Sequence, residues 1–155
     1  MNWIIQHSER LKFHTNLKEI LNPVLADIKS YNWLISDVEF ISDKYLSINH
    51  EEDFFILSNE NFHEILNSET QIIWGVICGF PKNQEIIIDK NNLPYTEEND
   101  SIWENGKFQV ENAVIEINAF DSTYTIIKFK NKILSEKFKQ YFDEAIPLNK
   151  FISRL

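Results

Sequence analysis

Short runs rich in β-branched and aromatic residues recur along the chain, and they restrict the fold more than any other feature. They lie at 2–6, 31–41, 54–57, 71–80, 85–89, 113–120 and 123–129. Such runs, bounded by polar turn-forming residues, are typical of β-strands. Their number and close spacing predict a mainly antiparallel sheet, arranged as a meander.

Three short polar segments predict how neighbouring strands are joined. Residues 81–84, Pro-Lys-Asn-Gln, separate the runs 71–80 and 85–89, which predicts a hairpin. Asn105-Gly106 between 102–104 and 107–110 predicts a second hairpin, because both residues tolerate positive φ. Asp121-Ser122 predicts a third turn, since both side chains bond their own backbone. The polar segment 91–101 predicts an exposed loop.

Helical periodicity appears near both ends of the chain. Asn16 and Glu19 have the spacing of a capping box, and Asn22-Pro23 predicts a kink or a fresh helical start. Ser58 predicts the cap of a short helix over 59–67. An amphipathic stripe predicts a helix over 132–145, ended by Pro147 and followed by an apolar turn at 148–155. We therefore predict a single α+β domain over 1–155, with helices near the N- and C-termini packed on the sheet.

The composition is that of a folded domain. The chain has 155 residues, 43% hydrophobic and 14% aromatic, which excludes a disordered protein. The N-terminus does not resemble a signal peptide, and no apolar run approaches the length of a membrane span. We therefore expect a cytoplasmic protein that does not associate with membranes. The single cysteine, Cys78, lies in an apolar run, so we expect a buried thiol.

Charge is divided unevenly along the chain. Residues 1–127 carry 8 Lys/Arg and 21 Asp/Glu, a net charge of −13, whereas 128–155 carry 7 and 3, a net charge of +4. An acidic body repels the phosphates of nucleic acids and attracts cationic partners. We therefore expect no nucleic-acid ligand and a basic protein partner, although acidity also serves solubility alone.

No pattern in the chain specifies a catalytic or metal site. His7, His14, His50 and His63 lack the spacing of zinc ligands. The cluster His50-Glu51-Glu52-Asp53 lacks the glycine of a calcium loop, which favours a solvated acidic turn over a metal site. Ser122 lacks the flanking glycines of a hydrolase nucleophile. We expect no cofactor, no metal and no enzymatic activity.

The four tryptophans also have two interpretations. Trp3, Trp33, Trp74 and Trp103 all fall in predicted strands, which favours core packing or partial surface cover over an aromatic ligand cage. Trp103 beside the acidic loop is the exception, because a partly exposed aromatic side chain can anchor an interface.

The stretch AFDSTYTIIKFKN, residues 119–131, followed by the helical ILSEKFKQYF, resembles the ending of small bacterial immunity-type proteins. These proteins neutralise polymorphic or contact-dependent toxins, and many carry an AFDSS-Y turn, from which Thr123 departs. The resemblance covers about the last quarter of the chain, and the runs WLISDVEF and IIWGVICGF are compatible with it. It implies a protein that occludes a toxin, many of which are basic nucleases, and it implies no catalytic residue.

Two classes of function follow from these patterns. The first is an immunity protein that occludes a cognate basic toxin domain through an acidic surface. Its partner-binding residues are predicted to be Glu51, Glu52, Asp53, Glu97, Glu98, Asp100, Trp103 and Asp121. The alternative is a small enzyme or ligand-binding domain, whose site would combine Trp33, Asp37, Glu39 and His63. An oligomer-forming role needs no special residues, and an exposed apolar patch would favour it.

Overall fold

Seven strands form a single antiparallel sheet in the computed structural model, which describes residues 1–48 and 51–154. The strands are β1 (Asn2–Ile5), β2 (Asn32–Ser42), β3 (Phe54–Leu57), β4 (Thr70–Phe80), β5 (Ile115–Phe120), β6 (Tyr124–Phe129) and β7 (Ile146–Pro147). Their order across the sheet is β3-β2-β4-β5-β6-β1-β7, and each neighbouring pair is antiparallel. The predicted α+β fold with a mainly antiparallel sheet is confirmed.

Four α-helices accompany the sheet. They are α1 (Leu17–Leu21), α2 (Asn59–Leu66), α3 (Lys132–Tyr141) and α4 (Leu148–Ile152), and 3₁₀ helices lie at Asn22–Val24 and Asp100–Trp103. Within the described ranges, none of these helices has the length and apolar character needed to cross a bilayer. Pro23 stands in the first turn of its 3₁₀ helix, so the predicted fresh helical start is confirmed.

The predicted helix caps and ends agree with the structure at some boundaries and not at others. Ser58 caps α2 as predicted, because its Oγ accepts the N–H of Asn61 at 3.2 Å. Asn16 occupies the cap position of α1, but its side chain makes no capping hydrogen bond, so the predicted capping box is wrong. The predicted end of α3 is also wrong, since the helix stops at Tyr141. The chain must turn there to bring Ile146–Pro147 alongside β1.

The main core lies between the sheet and the first three helices. Trp33 of β2 is completely buried and stacks on Phe62 of α2, with ring centroids 4.2 Å apart. Phe138 of α3 packs against Phe129 of β6 and against Phe142. These three helices therefore contribute their apolar faces to one cluster on the same side of the sheet, as amphipathic patterning requires.

The opposite side of the sheet is covered mainly by the irregular segment 81–114, and two predicted hairpins are wrong there. Residues 85–89 form no strand, because β2 and β5 already occupy both edges of β4. Ile86 and Ile88 instead pack onto a smaller apolar cluster around Leu34. Asn105-Gly106 does form a turn, but Asp100–Trp103 before it is a 3₁₀ helix with Ile102 completely buried.

The turn between β5 and β6 matches its prediction. Asp121 and Ser122 both have positive φ, 48° and 51°, which lets the chain reverse between the paired residues Phe120 and Tyr124. The hydroxyl of Ser122 accepts a hydrogen bond from the side-chain amide of Gln71 at 3.1 Å. The turn is thereby attached to β4.

Candidate functional site: an acidic groove

The candidate site begins at an irregularity between β2 and β4. Ser36 pairs with Val76 and Glu39 pairs with Trp74, so β2 holds one more residue than β4 over this interval. Such a β-bulge redirects side chains that regular alternation would place on opposite faces. Gly75 accommodates it with a φ of +153°, and a Cβ there would lie 3.4 Å from the Cα of Val38.

The bulge forms one wall of a groove with a volume of about 440 Å³. The other walls come from the segment preceding β3 and from part of the irregular segment. The lining residues are Ser36, Asp37, Val38, Glu39, Glu52, Asp53, Phe55, Trp74, Leu93, Pro94, Tyr95 and Glu97. We call this cavity the acidic groove.

Five carboxylates line the acidic groove, and no Lys, Arg or His stands among its described lining residues. They are Asp37, Glu39, Glu52, Asp53 and Glu97. In the part of the chain that the structure describes, none of the five takes part in an ion pair. Like charges in a concave surface concentrate the negative potential there, which favours cationic ligands.

Hydrogen bonds attach the irregular segment to the bulge. The hydroxyl of Ser36 donates to the carbonyl oxygen of Pro94 at 2.7 Å, and the N–H of Thr96 donates to Oδ2 of Asp37 at 3.0 Å. The N–H of Tyr95 donates to Oε1 of Gln109 at 3.0 Å. The wall of the groove is therefore held on both sides of Tyr95.

A buried polar network supports the same segment from below. Glu116 of β5 accepts the N–H of Gln109 at 2.6 Å and the side-chain amide of Asn118 at 2.9 Å. The ammonium of Lys128 donates to the carbonyl oxygen of Lys107 at 2.7 Å and lies 3.4 Å from Glu116. Burial lowers the pKa of Lys128, and the charge of Glu116 opposes that shift.

Partly exposed aromatic rings extend from the acidic groove along the sheet. Trp74 at the groove lies 4.8 Å from Phe120, and Phe120 lies 5.3 Å from Trp103, between ring centroids. Trp103 also contacts Tyr124 and Phe151 of α4. We call Trp74, Phe120, Trp103 and Tyr124 the aromatic row. Aromatic side chains of this kind are enriched at protein interfaces.

The structure brings only some of the predicted partner-binding residues together. Glu52, Asp53 and Glu97 line the acidic groove, and Trp103 belongs to the aromatic row. The remaining predicted residues are exposed, and they are Glu51, Glu98, Asp100 and Asp121. Only Glu51 and Glu98 directly adjoin residues that line the groove. Trp103 lies in a 3₁₀ helix, so its predicted strand is wrong.

The four residues of the alternative site are not brought together. Asp37 and Glu39 line the acidic groove, but Trp33 is buried in the core beneath the helices. His63 is exposed on α2. His50, part of the predicted acidic loop cluster, lies outside the described residues. Among the residues that are described, no three His, Cys, Asp or Glu side chains are placed to hold a metal ion.

The apolar part of the groove is not evident from the sequence patterns. Trp74 is half-buried, which agrees with the predicted partial surface cover, but no pattern placed it, Phe55 or Tyr95 at a binding site. The available signal was Gly75 after Trp74, because a glycine inside a strand often marks a bulge. No protein-family model, curated protein or solved structure matches the chain.

Proposed function

We propose that the protein is an immunity protein that binds the cationic surface of a cognate toxin domain in its acidic groove and so occludes it. One observation carries this proposal: five carboxylates converge on a concave surface with no cationic side chain among its described lining residues. Such a surface has strong attraction for a basic protein and repels nucleic acid.

The aromatic row favours a protein, and not a small ion, as the ligand of the acidic groove. Trp74 belongs both to the groove and to the row, so the acidic and aromatic surfaces are continuous. Interfaces commonly combine aromatic anchors, which supply much of the binding energy, with charges that guide association. The resemblance of residues 119–131 to immunity-type proteins points to the same class of partner.

The test uses the C-terminal domain of the polypeptide encoded directly upstream of this chain's gene. We expect tight binding that weakens as salt increases, because screening reduces attraction between charged surfaces. The triple variant Glu39→Gln, Glu52→Gln, Asp53→Asn should weaken binding by about 10-fold to 100-fold at low salt. Co-expression of the wild type, but not of the triple variant, should restore growth of cells that produce the upstream domain.

A matched control removes three exposed carboxylates that do not line the groove. Glu9→Gln, Glu85→Gln and Glu111→Gln change the net charge by the same amount, so a general charge effect would weaken binding equally in both triple variants. Equal affinities of the groove variant and the wild type would contradict the proposal. Binding that does not respond to salt would contradict it as well.

A further inference from the structure

Strand β3 forms one end of the sheet and is open on its outer side. Its neighbour on the inner side is β2, and no other described strand lies beyond it. The strand reads Phe-Phe-Ile-Leu and contains neither a charged residue nor a proline, the features that usually protect an edge strand. Ile56 is 50% exposed.

The direction of the backbone groups of β3 follows from one hydrogen bond. The N–H of Asp37 donates to the carbonyl oxygen of Asp53 at 3.3 Å, in register with the pairing of β2 and β3. Backbone groups alternate along a strand, so those of Phe55 and Leu57 also face β2. The N–H and C=O groups of Phe54 and Ile56 therefore face outward. Within the described residues these outward groups have no hydrogen-bond partner.

The other end of the sheet is closed to such pairing. Strand β7 has only two residues, and its second residue, Pro147, has no N–H to donate. The two edges of the sheet therefore differ, and β3 is the edge that can accept a further strand.

We propose that an extended segment of the cationic partner adds to β3 as a further strand and places basic side chains in the acidic groove. This inference rests on the proposed function. Glu52 and Asp53 line the groove and directly precede β3, so a segment paired with Phe54 passes beside both carboxylates when it continues. Backbone pairing supplies affinity in such complexes, and side chains in adjoining pockets supply specificity.

Charge selects a basic partner over a second copy of this chain. A second β3 would bring its own Glu52 and Asp53 and would leave the carboxylates of both grooves without a cation. Each copy has a formal net charge of −9, which further opposes self-association. A lysine-bearing or arginine-bearing segment would instead neutralise the groove while it pairs with the edge.

Amide hydrogen exchange measured by NMR tests the pairing directly. The probe is the same upstream C-terminal domain, and its binding isotherm is recorded on the same samples. We expect the amides of Phe54 and Ile56 to exchange rapidly in the free protein and at least about tenfold more slowly in the complex. Protection together with binding supports strand addition.

The other outcomes separate the two proposals. Binding with rapid exchange at Phe54 and Ile56 overturns strand addition and leaves the proposed function standing. The absence of binding overturns both. Slow exchange in the free protein, together with a dimer in sedimentation experiments, shows that a second copy of this chain pairs with β3. That outcome overturns the proposal that a basic segment of the partner does so.

Two variants at one position distinguish backbone pairing from side-chain contact. Ile56→Pro removes an outward N–H and no hydrogen bond to β2, so an edge strand tolerates it. We expect it to weaken binding about tenfold more than Ile56→Ala, which keeps the N–H and loses only the side chain. Equal affinities of the two variants would overturn strand addition. Circular dichroism checks that both variants are folded. If one of them is unfolded, the hydrogen-exchange experiment on the wild-type protein still tests strand addition.

Discussion

Lys128 and Glu116 stand directly opposite each other on β6 and β5, with both side chains completely buried and Nζ 3.4 Å from Oε1. Glu116 also accepts a hydrogen bond from the N–H of Gln109, and Lys128 donates one to the carbonyl oxygen of Lys107. These two bonds link the pair to the irregular segment. Gln109 in turn binds the backbone of Tyr95 at the acidic groove. The pair therefore connects the centre of the sheet with the wall of the groove.

Removing one member of this pair should be strongly destabilising. Lys128→Met leaves the carboxylate of Glu116 buried without its counter-charge, so we expect the free energy of unfolding to fall by about 3–5 kcal/mol. Urea denaturation measures this change. The exposed pair of Lys132 and Glu136 gives the control, and Lys132→Met should cost at most about 1 kcal/mol. Similar losses in both variants would show that burial does not determine the contribution of the pair.

The thiol of Cys78 should make stability fall at alkaline pH. Burial raises the pKa of Cys78 well above the ordinary value of 9.0, and the charge of Glu116 raises it further. Above pH 9.0 the thiol of the unfolded chain loses its proton, whereas the buried thiol of the folded protein keeps it. The free energy of unfolding therefore decreases as pH rises. The stability advantage of the wild type over Cys78→Ala should therefore shrink above pH 9.0, as denaturant titrations at several pH values would show. A constant difference would contradict this expectation.

His14 should titrate below its ordinary range. Burial lowers the pKa of His14 from 6.5, and the charge of His7 lowers it further. As pH falls through 6.5, His14 of the unfolded chain binds a proton before His14 of the folded protein does. The contribution of His14 to the free energy of unfolding is therefore lost as pH falls. His7→Gln should raise the pKa of His14 towards 6.5 in an NMR titration. An unchanged pKa would exclude His7 as a cause.

Gly79 should not tolerate a larger residue. A Cβ at Gly79 would lie 2.9 Å from Cζ3 of Trp33, whose ring is fixed by its stack on Phe62. We expect Gly79→Ala to lower the free energy of unfolding by about 1–3 kcal/mol. Trp33→Phe removes the contacting part of the ring, so Gly79→Ala should cost less in that background. A double-mutant cycle measured by urea denaturation tests this coupling.

Signals that act over a few residues correctly predicted much of the fold. Ser58 caps α2 because its partner N–H lies three residues away, and Asp121-Ser122 form the predicted turn with positive φ at both residues. The amphipathic pattern of α3 was equally clear, although its end depended on β7. Strand type follows from similar local composition, which explains why β1 to β6 were predicted and only the two-residue β7 was not.

The errors arose where distant parts of the chain decide the outcome. Residues 85–89 have the composition of a strand, but no free edge of β4 remains for them to pair with. The groove also depends on distant contacts, because Asp37 and Glu39 meet Glu52 and Glu97 only once the bulge in β2 is formed. Charge along the sequence identified Glu52 and Glu97 as interface candidates. It could not show that Trp74 would join them.

The unequal ends of the sheet limit how large an assembly can become. With β3 as the proposed acceptor and the short, proline-containing β7 at the far side, the described strands offer no second edge of the same kind. Growth by repeated stacking of strands, the geometry of fibrils, therefore stops at a two-body complex. If a partner strand adds at β3, the described strands thus limit backbone pairing to one partner.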